Sequence, residues 1–221
     1  MSAEGVAMGE TIAVVDFETT GMGPQHGARA TEVAVVLVRG GVIVDRFHSL
    51  MRSDVPVPPF VAQLTGITND LLRSAPPAEE VMRAALDFTQ GVPMVAHNAT
   101  FDRSFWVSEA RHAGVTLAPV PSFACTVLLG RRILSEAPSH KLSNLATWCG
   151  IERSGPAHRA LSDAEVTAAL WVKMQAELAQ RFAGELAGCP VSHALMVHVQ
   201  ALSKHQLDKA IQLWVRQQAK R

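Results

Sequence analysis

The sequence predicts an α/β fold: a mixed sheet of three antiparallel strands followed by strand–helix units, flanked by helices. Three stretches carry that prediction. IAVVDFE at 12–18 is rich in the β-branched residues that suit a pleated strand, and Gly21 ends it. TEVAVVLVRGGVIVDRFHSLM at 31–51 reads as a hairpin, with strands around 31–38 and 42–51 about a turn at Arg39-Gly40-Gly41. VPMVAHN at 92–98 is a short apolar run, as expected of a buried strand, and passes straight into the helical pattern TFDRSFWVSEARHAG at 100–114.

The remaining elements follow in chain order. GMGPQHGARA (21–30) is a turn-rich connector, and VPVPPFVAQLTGIT (55–68) is Pro-rich with a short helical turn closing at Gly66. PAEEVMRAALDFTQG (77–91) predicts a helix, with Pro at its start, acids in its first turn and a closing Gly. In the helix at 100–114, Thr100 is the expected N-cap and Gly114 the C-cap. FACTVLLGRRIL (123–134) and KLSNLATWCG (141–150) read as helices. HRALSDAEVTAALWVKMQAELAQRF (158–182) opens as a loop, and Ser162 and Glu165 form a capping box before a long amphipathic helix. The tail holds a Gly-Cys-Pro break at 188–190 and helical segments at 191–202 and 204–219. The expected division is a main domain over 1–182 and a helical extension over 183–221, packed on or near it.

Composition narrows the function classes. With 221 residues, 48% hydrophobic and 18% charged, the chain is globular rather than disordered. Lys+Arg and Asp+Glu are both 20, so no global field steers the protein onto a polyanion, and such a partner must be held locally. Cys125, Cys149 and Cys189 are odd in number and lack C-x-x-C spacing, which argues against a disulfide framework or a zinc site. No apolar stretch reaches membrane-spanning length, and MSAEGVAMGE lacks the plan of a signal peptide. The expectation is a cytoplasmic protein with no membrane partner.

The chemistry begins at VVDFETTG (14–21). Side chains alternate faces along a strand, so Asp16 and Glu18 stand side by side, with Phe17 turned away. Adjacent carboxylates in an apolar run repel and resist ionisation unless a cation sits between them, and a hard divalent ion such as Mg²⁺ or Mn²⁺ takes oxygen ligands of this kind. The alternative is a solvated strand end. Asp102, in the first turn of the helix after VPMVAHN, and Asp163, directly after Ser162, are each explained equally by the helix macrodipole. His158 lies in the loop entering the long helix, and His97 ends a strand, where it also suits a core position.

Taken jointly, VVDFETTG, AHNATFDRSF and HRALSDAEVTAAL resemble the DEDDh family of 3′–5′ exonucleases, an RNase H-like group that includes the proofreading epsilon subunit of bacterial DNA polymerase III. QLTGITNDLL (63–72) and HKLSNLATWCGI (140–151) are similar to minor motifs of that family, and the resemblance runs from about residue 11 to 182. Phe17 departs from it, where the epsilon-type motif commonly has Thr. His158 separates the chain from the sister group that carries Tyr there, and the chain has no Tyr at all.

The resemblance implies an RNase H-like sheet of five strands and a two-metal hydrolysis of phosphodiester bonds. Asp16, Glu18, Asp102 and Asp163 would hold two Mg²⁺ or Mn²⁺ ions, and His158 would serve as general base. Thr19 and Thr20, with the backbone of Glu18 and Thr19, are expected at the terminal 3′-hydroxyl, Leu64 and Phe101 against the base, and Asn98 near a phosphate. Core packing accounts equally well for Leu64 and Phe101. Arg131, Arg132, Lys141 and Arg159 are candidates for the strand path, although a solvated surface explains them too. The expected partner is a nucleic-acid 3′ end, single-stranded DNA first and RNA as the alternative, as in the RNase T and oligoribonuclease branches. A third expectation is docking to a DNA polymerase subunit through the tail helices.

Overall fold

The computed structural model describes residues 9–203 and 206–218. Its centre is a five-stranded sheet in the order β3-β2-β1-β4-β5. β1 (Thr11–Thr19), β2 (Ala30–Arg39) and β3 (Val42–Leu50) form an antiparallel meander. β4 (Met94–Ala96) and β5 (Phe123–Cys125) add to the other side of β1 as parallel strands. The mixed sheet flanked by helices is the predicted architecture.

The alternation of β1 builds two cores. Ile12 and Val14 face one side, where α5 (Thr126–Ile133), α6 (Leu142–Trp148) and the long α7 (Ala160–Arg181) pack. Ala13, Val15 and Phe17 face the other, against α3 (Ala78–Thr89) and α4 (Ala99–His112). Phe17 lies 6.3 Å, ring to ring, from both Phe105 and Trp106. Its large apolar side chain thus extends the second core, while Asp16 and Glu18 continue the Ile12–Val14 row toward α7.

Several predicted details differ. The pattern at 123–134 predicts one continuous helix. Its first three residues, Phe123–Cys125, are instead β5, because a buried apolar triplet is too short for its period to tell strand from helix. Asn98, not Thr100, caps α4, standing in the left-handed region at φ 69, which Asn tolerates better than most residues. The capping box at 162–165 does not form, since α7 already starts at Ala160. Ser162 Oγ instead accepts from Arg153, and Glu165 takes Arg46 and Ser154. The first N–H of α7, from Ala160, goes to Glu32 Oε2 at 2.9 Å. Between the hairpin and α3 lie α1 (Pro59–Thr65) and the unforeseen α2 (Asn69–Arg73).

The tail folds as α8 (Ala183–Leu186), α9 (His193–Gln200) and α10 (Leu207–Gln218). The predicted helix at 204–219 begins and ends outside the described residues. Leu195, Met196, Val199, Leu207 and Ile211 are buried in the α7-side core. Gln200 spans β5, accepting from Cys125 N at 2.6 Å and donating to Phe123 O at 3.1 Å. Among the described residues no helix is long and apolar enough to cross a membrane.

Candidate functional site

The C-terminal end of β1 puts Asp16 and Glu18 where three other elements arrive: β2 alongside, the start of α4, and the loop and first turn of α7. Glu18 pairs directly with Glu32 across the antiparallel ladder, so both project toward α7. Asp102, in the first turn of α4, is buried and its Oδ1 accepts the backbone N–H of Phe17 at 3.2 Å. That bond ties the strand–helix turn after β4 to the residue between the two β1 acids. Asp163, also buried, accepts the backbone N–H of His158 at 3.1 Å through Oδ2. His158 is exposed and stands at φ 58, a left-handed conformation that costs a non-glycine residue energy and that this hydrogen bond helps to hold. Glu18, His158 and Asp163 offer ligand atoms that all lie within 4.8 Å of one another.

The electrostatics of the four acids follow from this convergence. Burial pushes the Asp16 carboxyl well above the ordinary carboxylate range, and the charges of Asp102, Asp163, Glu18 and Glu32 push it further. Burial also raises Glu18, to about 8, with Asp163 and Glu32 adding to the shift and Arg159 opposing it. Burial lifts Asp102 too, against the Phe17 N–H that favours its charged form. Several carboxyls held together in this way gain most from a divalent cation, which removes the repulsion and satisfies hard oxygen donors at once. The donor set fits such an ion.

Two neighbouring cations are already committed. Arg153 pairs with Asp163 and also reaches Ser162 and Ser143. Arg159 pairs with Glu32 at 2.7 Å. Glu32, fully buried, is a residue of the candidate site that the sequence motifs do not include. Its signal was present, an acid in the middle of the apolar run ATEVAVV, but without a partner motif to give it meaning.

The expected substrate residues divide. Thr19 and Thr20 are buried, and their hydroxyls are engaged in the turn: Thr19 Oγ1 donates to Gly21 O at 2.7 Å, and Thr20 Oγ1 accepts from Arg29 N at 3.0 Å. Arg29 in turn makes a buried pair with Glu109 of α4, which clasps the connector to the helix. Leu64 on α1 is 56% exposed, an apolar side chain without core packing to explain it. Phe101 is half-buried, 4.9 Å from the ring of Phe105, so it extends the core outward to the site. Asn98 is exposed at the mouth of the α4 turn. Of the four candidate strand-path cations, Arg132 is consumed by the carbonyls of Leu202 and Leu128, and Arg159 by Glu32. Arg131 and Lys141 are exposed.

Comparison with known proteins places this geometry. The model of the Exonuclease (RNase T) family matches residues 13–171. The 3'-5' exonuclease DinG of Bacillus subtilis is 34% identical over 167 residues, covering 76% of this chain and 18% of the relative. The PolC-type DNA polymerase III of the same organism is 36% identical over 173 residues, covering 78% of this chain and 12% of the relative. The chain spans 12 to 25% of the length of the first curated relatives it matches. Among solved structures, E. coli Exonuclease I in complex with a dT13 oligonucleotide superposes with a TM-score of 0.67 at 18% identity, over 80% of this chain and 43% of that one, a likeness of fold.

Proposed function

The chain belongs to the Exonuclease family, and from that premise we propose a metal-dependent 3′–5′ exonuclease of the DEDDh type, acting on single-stranded or frayed DNA ends and releasing nucleoside monophosphates. The observation that carries this reading is the meeting of Asp16, Glu18 and Asp102, whose carboxyl pKa values are raised, with Asp163 beside the strained and exposed His158. Asp16, Glu18, Asp102 and Asp163 would hold two Mg²⁺ or Mn²⁺ ions. When bound, such ions acidify a water and neutralise charge on the phosphate.

The residues of the chain do the rest. The imidazole of His158 takes the proton of the water whose oxygen attacks phosphorus; as the new P–O bond forms the P–O3′ bond breaks, O3′ of the shortened strand takes a proton from solvent water, and the last nucleotide leaves with its 5′-phosphate. Histidine suits this role because its charge changes near neutrality. Leu64 and Phe101 stack on or wedge against the terminal base, a contact that tolerates any sequence. Asn98 touches a phosphate. The backbone of Glu18 and Thr19, with Thr20, receives the 3′-hydroxyl at the turn after β1. Residues 1–182 carry this chemistry, with 183–221 as an extension.

Single-stranded DNA is favoured over RNA by the DNA polymerase relatives and by the oligonucleotide bound to Exonuclease I. The PolC-type relatives, in which the matching segment is part of a polymerase chain, favour work beside a DNA polymerase. The three free cysteines suit the reducing cytoplasm.

The test is digestion of oligonucleotides labelled at the 5′ end, DNA and RNA in parallel, with Mg²⁺ or Mn²⁺. A ladder shortening stepwise from the 3′ end, absent in Asp16→Ala, is expected. Equal behaviour of wild type and variant rejects the proposal.

A further inference from the structure

A chain with equal numbers of cationic and acidic residues provides no long-range attraction for a polyanion. The arginines nearest the acids do not resolve this, since Arg153 and Arg159 are paired with Asp163 and Glu32, and Arg29 with Glu109. Two of the exposed cations, Arg131 and Lys141, share a cleft beside the site. A cleft of about 630 Å³ runs between the corner after β4, α5 and the segment 138–142, and Asn98, Arg131, Ser139 and Lys141 line it, with His97 and His140 on its wall. That volume lies within the range of clefts that hold small ligands. Among the described residues neither Arg131 nor Lys141 has an acidic partner within salt-bridge distance.

The cleft adjoins the acidic site without sharing its acids. His97 lies close enough to feel the charge of Asp163, and Asn98 starts the helix whose first turn holds Asp102. The wall is fixed: His97 Nδ1 lies 2.9 Å from Thr126 Oγ1, and burial holds the His97 ring neutral, its pKa near 4. Nε2 of His140 is buried without a hydrogen-bond partner among the described residues. The lining therefore combines two cationic side chains, an amide and a hydroxyl with the apolar side chains of Val127, Pro138 and Leu142. The polar groups match the oxygens of a sugar–phosphate chain, and the apolar ones suit the sugar and base edges beside it.

We propose that this cleft binds the phosphates immediately upstream of the scissile bond, so that the protein grips a single strand over several nucleotides and not only its last one. The proposal rests on the exonuclease reading above and makes affinity rise with the length of the strand.

The test uses Arg131→Gln/Lys141→Gln and two readouts. The first is hydrolysis of thymidine 5′-(p-nitrophenyl phosphate), which has no upstream phosphate. The second is fluorescence anisotropy of a labelled single-stranded oligonucleotide with Ca²⁺, over a range of salt concentration. The double variant should hydrolyse the small substrate at the wild-type rate and bind the oligonucleotide about tenfold more weakly. Its log–log salt slope should be shallower by about 1.4, or about 0.7 for each phosphate that is no longer neutralised. Arg111→Gln/Lys173→Gln, which removes two exposed cations elsewhere, should keep the wild-type slope. An unchanged affinity and slope in the first variant, or an equal loss in the second, overturns the proposal. If wild type hydrolyses neither substrate, the exonuclease reading fails, and the anisotropy slopes still judge the cleft.

Discussion

Glu18 and Glu32 stand directly opposite one another on antiparallel strands, yet their carboxyls shift in opposite directions, Glu18 up to about 8 and Glu32 down to about 2. Burial acts on both alike. Glu32 escapes because His48, Arg159 and the Ala160 N–H all bond to it, whereas Glu18 faces Asp163 and Glu32 with only the charge of Arg159 in its favour. One acid is thus a fixed anion that anchors α7, and the other is left for a cation.

Glu32→Ala should loosen the start of α7 and with it Asp163 and His158. Loss of a charged acceptor inside the protein costs about 2 kcal/mol, which for a chain of this size lowers Tm by roughly 4–8 °C. Differential scanning calorimetry reads the shift, and ladder assays below the new Tm should show slower cleavage. An unchanged Tm would show that Arg159 and the α7 terminus find other partners.

The pH dependence of metal-free stability follows from the raised acids. Glu18, Asp16 and Asp102 hold their protons more tightly folded than unfolded, so they favour the fold while protonated. For Glu18 that advantage is lost as pH rises from its ordinary 4.5 through about 8. In EDTA, Tm should therefore fall between about pH 5 and 8.5, and Mn²⁺ should raise it most at the upper end. Glu32 works in a separate window: its stabilisation is full above 4.5 and lost as pH falls toward 2. A metal-free Tm that is flat from pH 5 to 8.5 would contradict the cluster of neutral acids.

Arg153 occupies Asp163 as a built-in counter-ion. Arg153→Ala should tighten Mn²⁺ binding, by about tenfold if the pair is worth about 1.4 kcal/mol, with calorimetric titration as the readout. Weaker binding would mean that Arg153 holds Asp163 in position instead of competing for it.

Asp102→Asn keeps an oxygen for the Phe17 N–H and removes one of the charges that burden Asp16. At pH 8 in EDTA the variant should be more stable than wild type by about 1 kcal/mol, while cleavage falls by at least about 10²-fold. A gain in one and a loss in the other separates an acid kept for chemistry from one kept for the fold.

Much of this is legible in the sequence. The alternation of VVDFE alone puts Asp16 and Glu18 on one face, and the strand–helix junction at HNATFD places Asp102. The turn of α7 is harder. S-D-A-E has the form of a capping box, but Glu32, distant in sequence, caps the helix, and helical structure begins two residues earlier. Local motifs state what a helix end can do for itself and are silent when tertiary structure supplies the cap. β5 is hidden for a related reason, since three apolar residues have no period and only the neighbouring β4 makes them a strand. The commitment of Arg159 and Arg132 to internal partners is likewise invisible, because charge is read from sequence and pairing is not.

The amide of Gln200, seated on β5, has a practical consequence. β5 is the outermost strand on its side, and its free N–H and C=O groups would otherwise offer a template for another chain. A fragment cut after residue 182 bares that rim together with the apolar surface that Leu195, Met196 and Val199 cover. Such a fragment should self-associate, with light scattering rising with concentration, while the full chain stays dispersed; equal scattering from both would show that residues after 182 do not shield the edge.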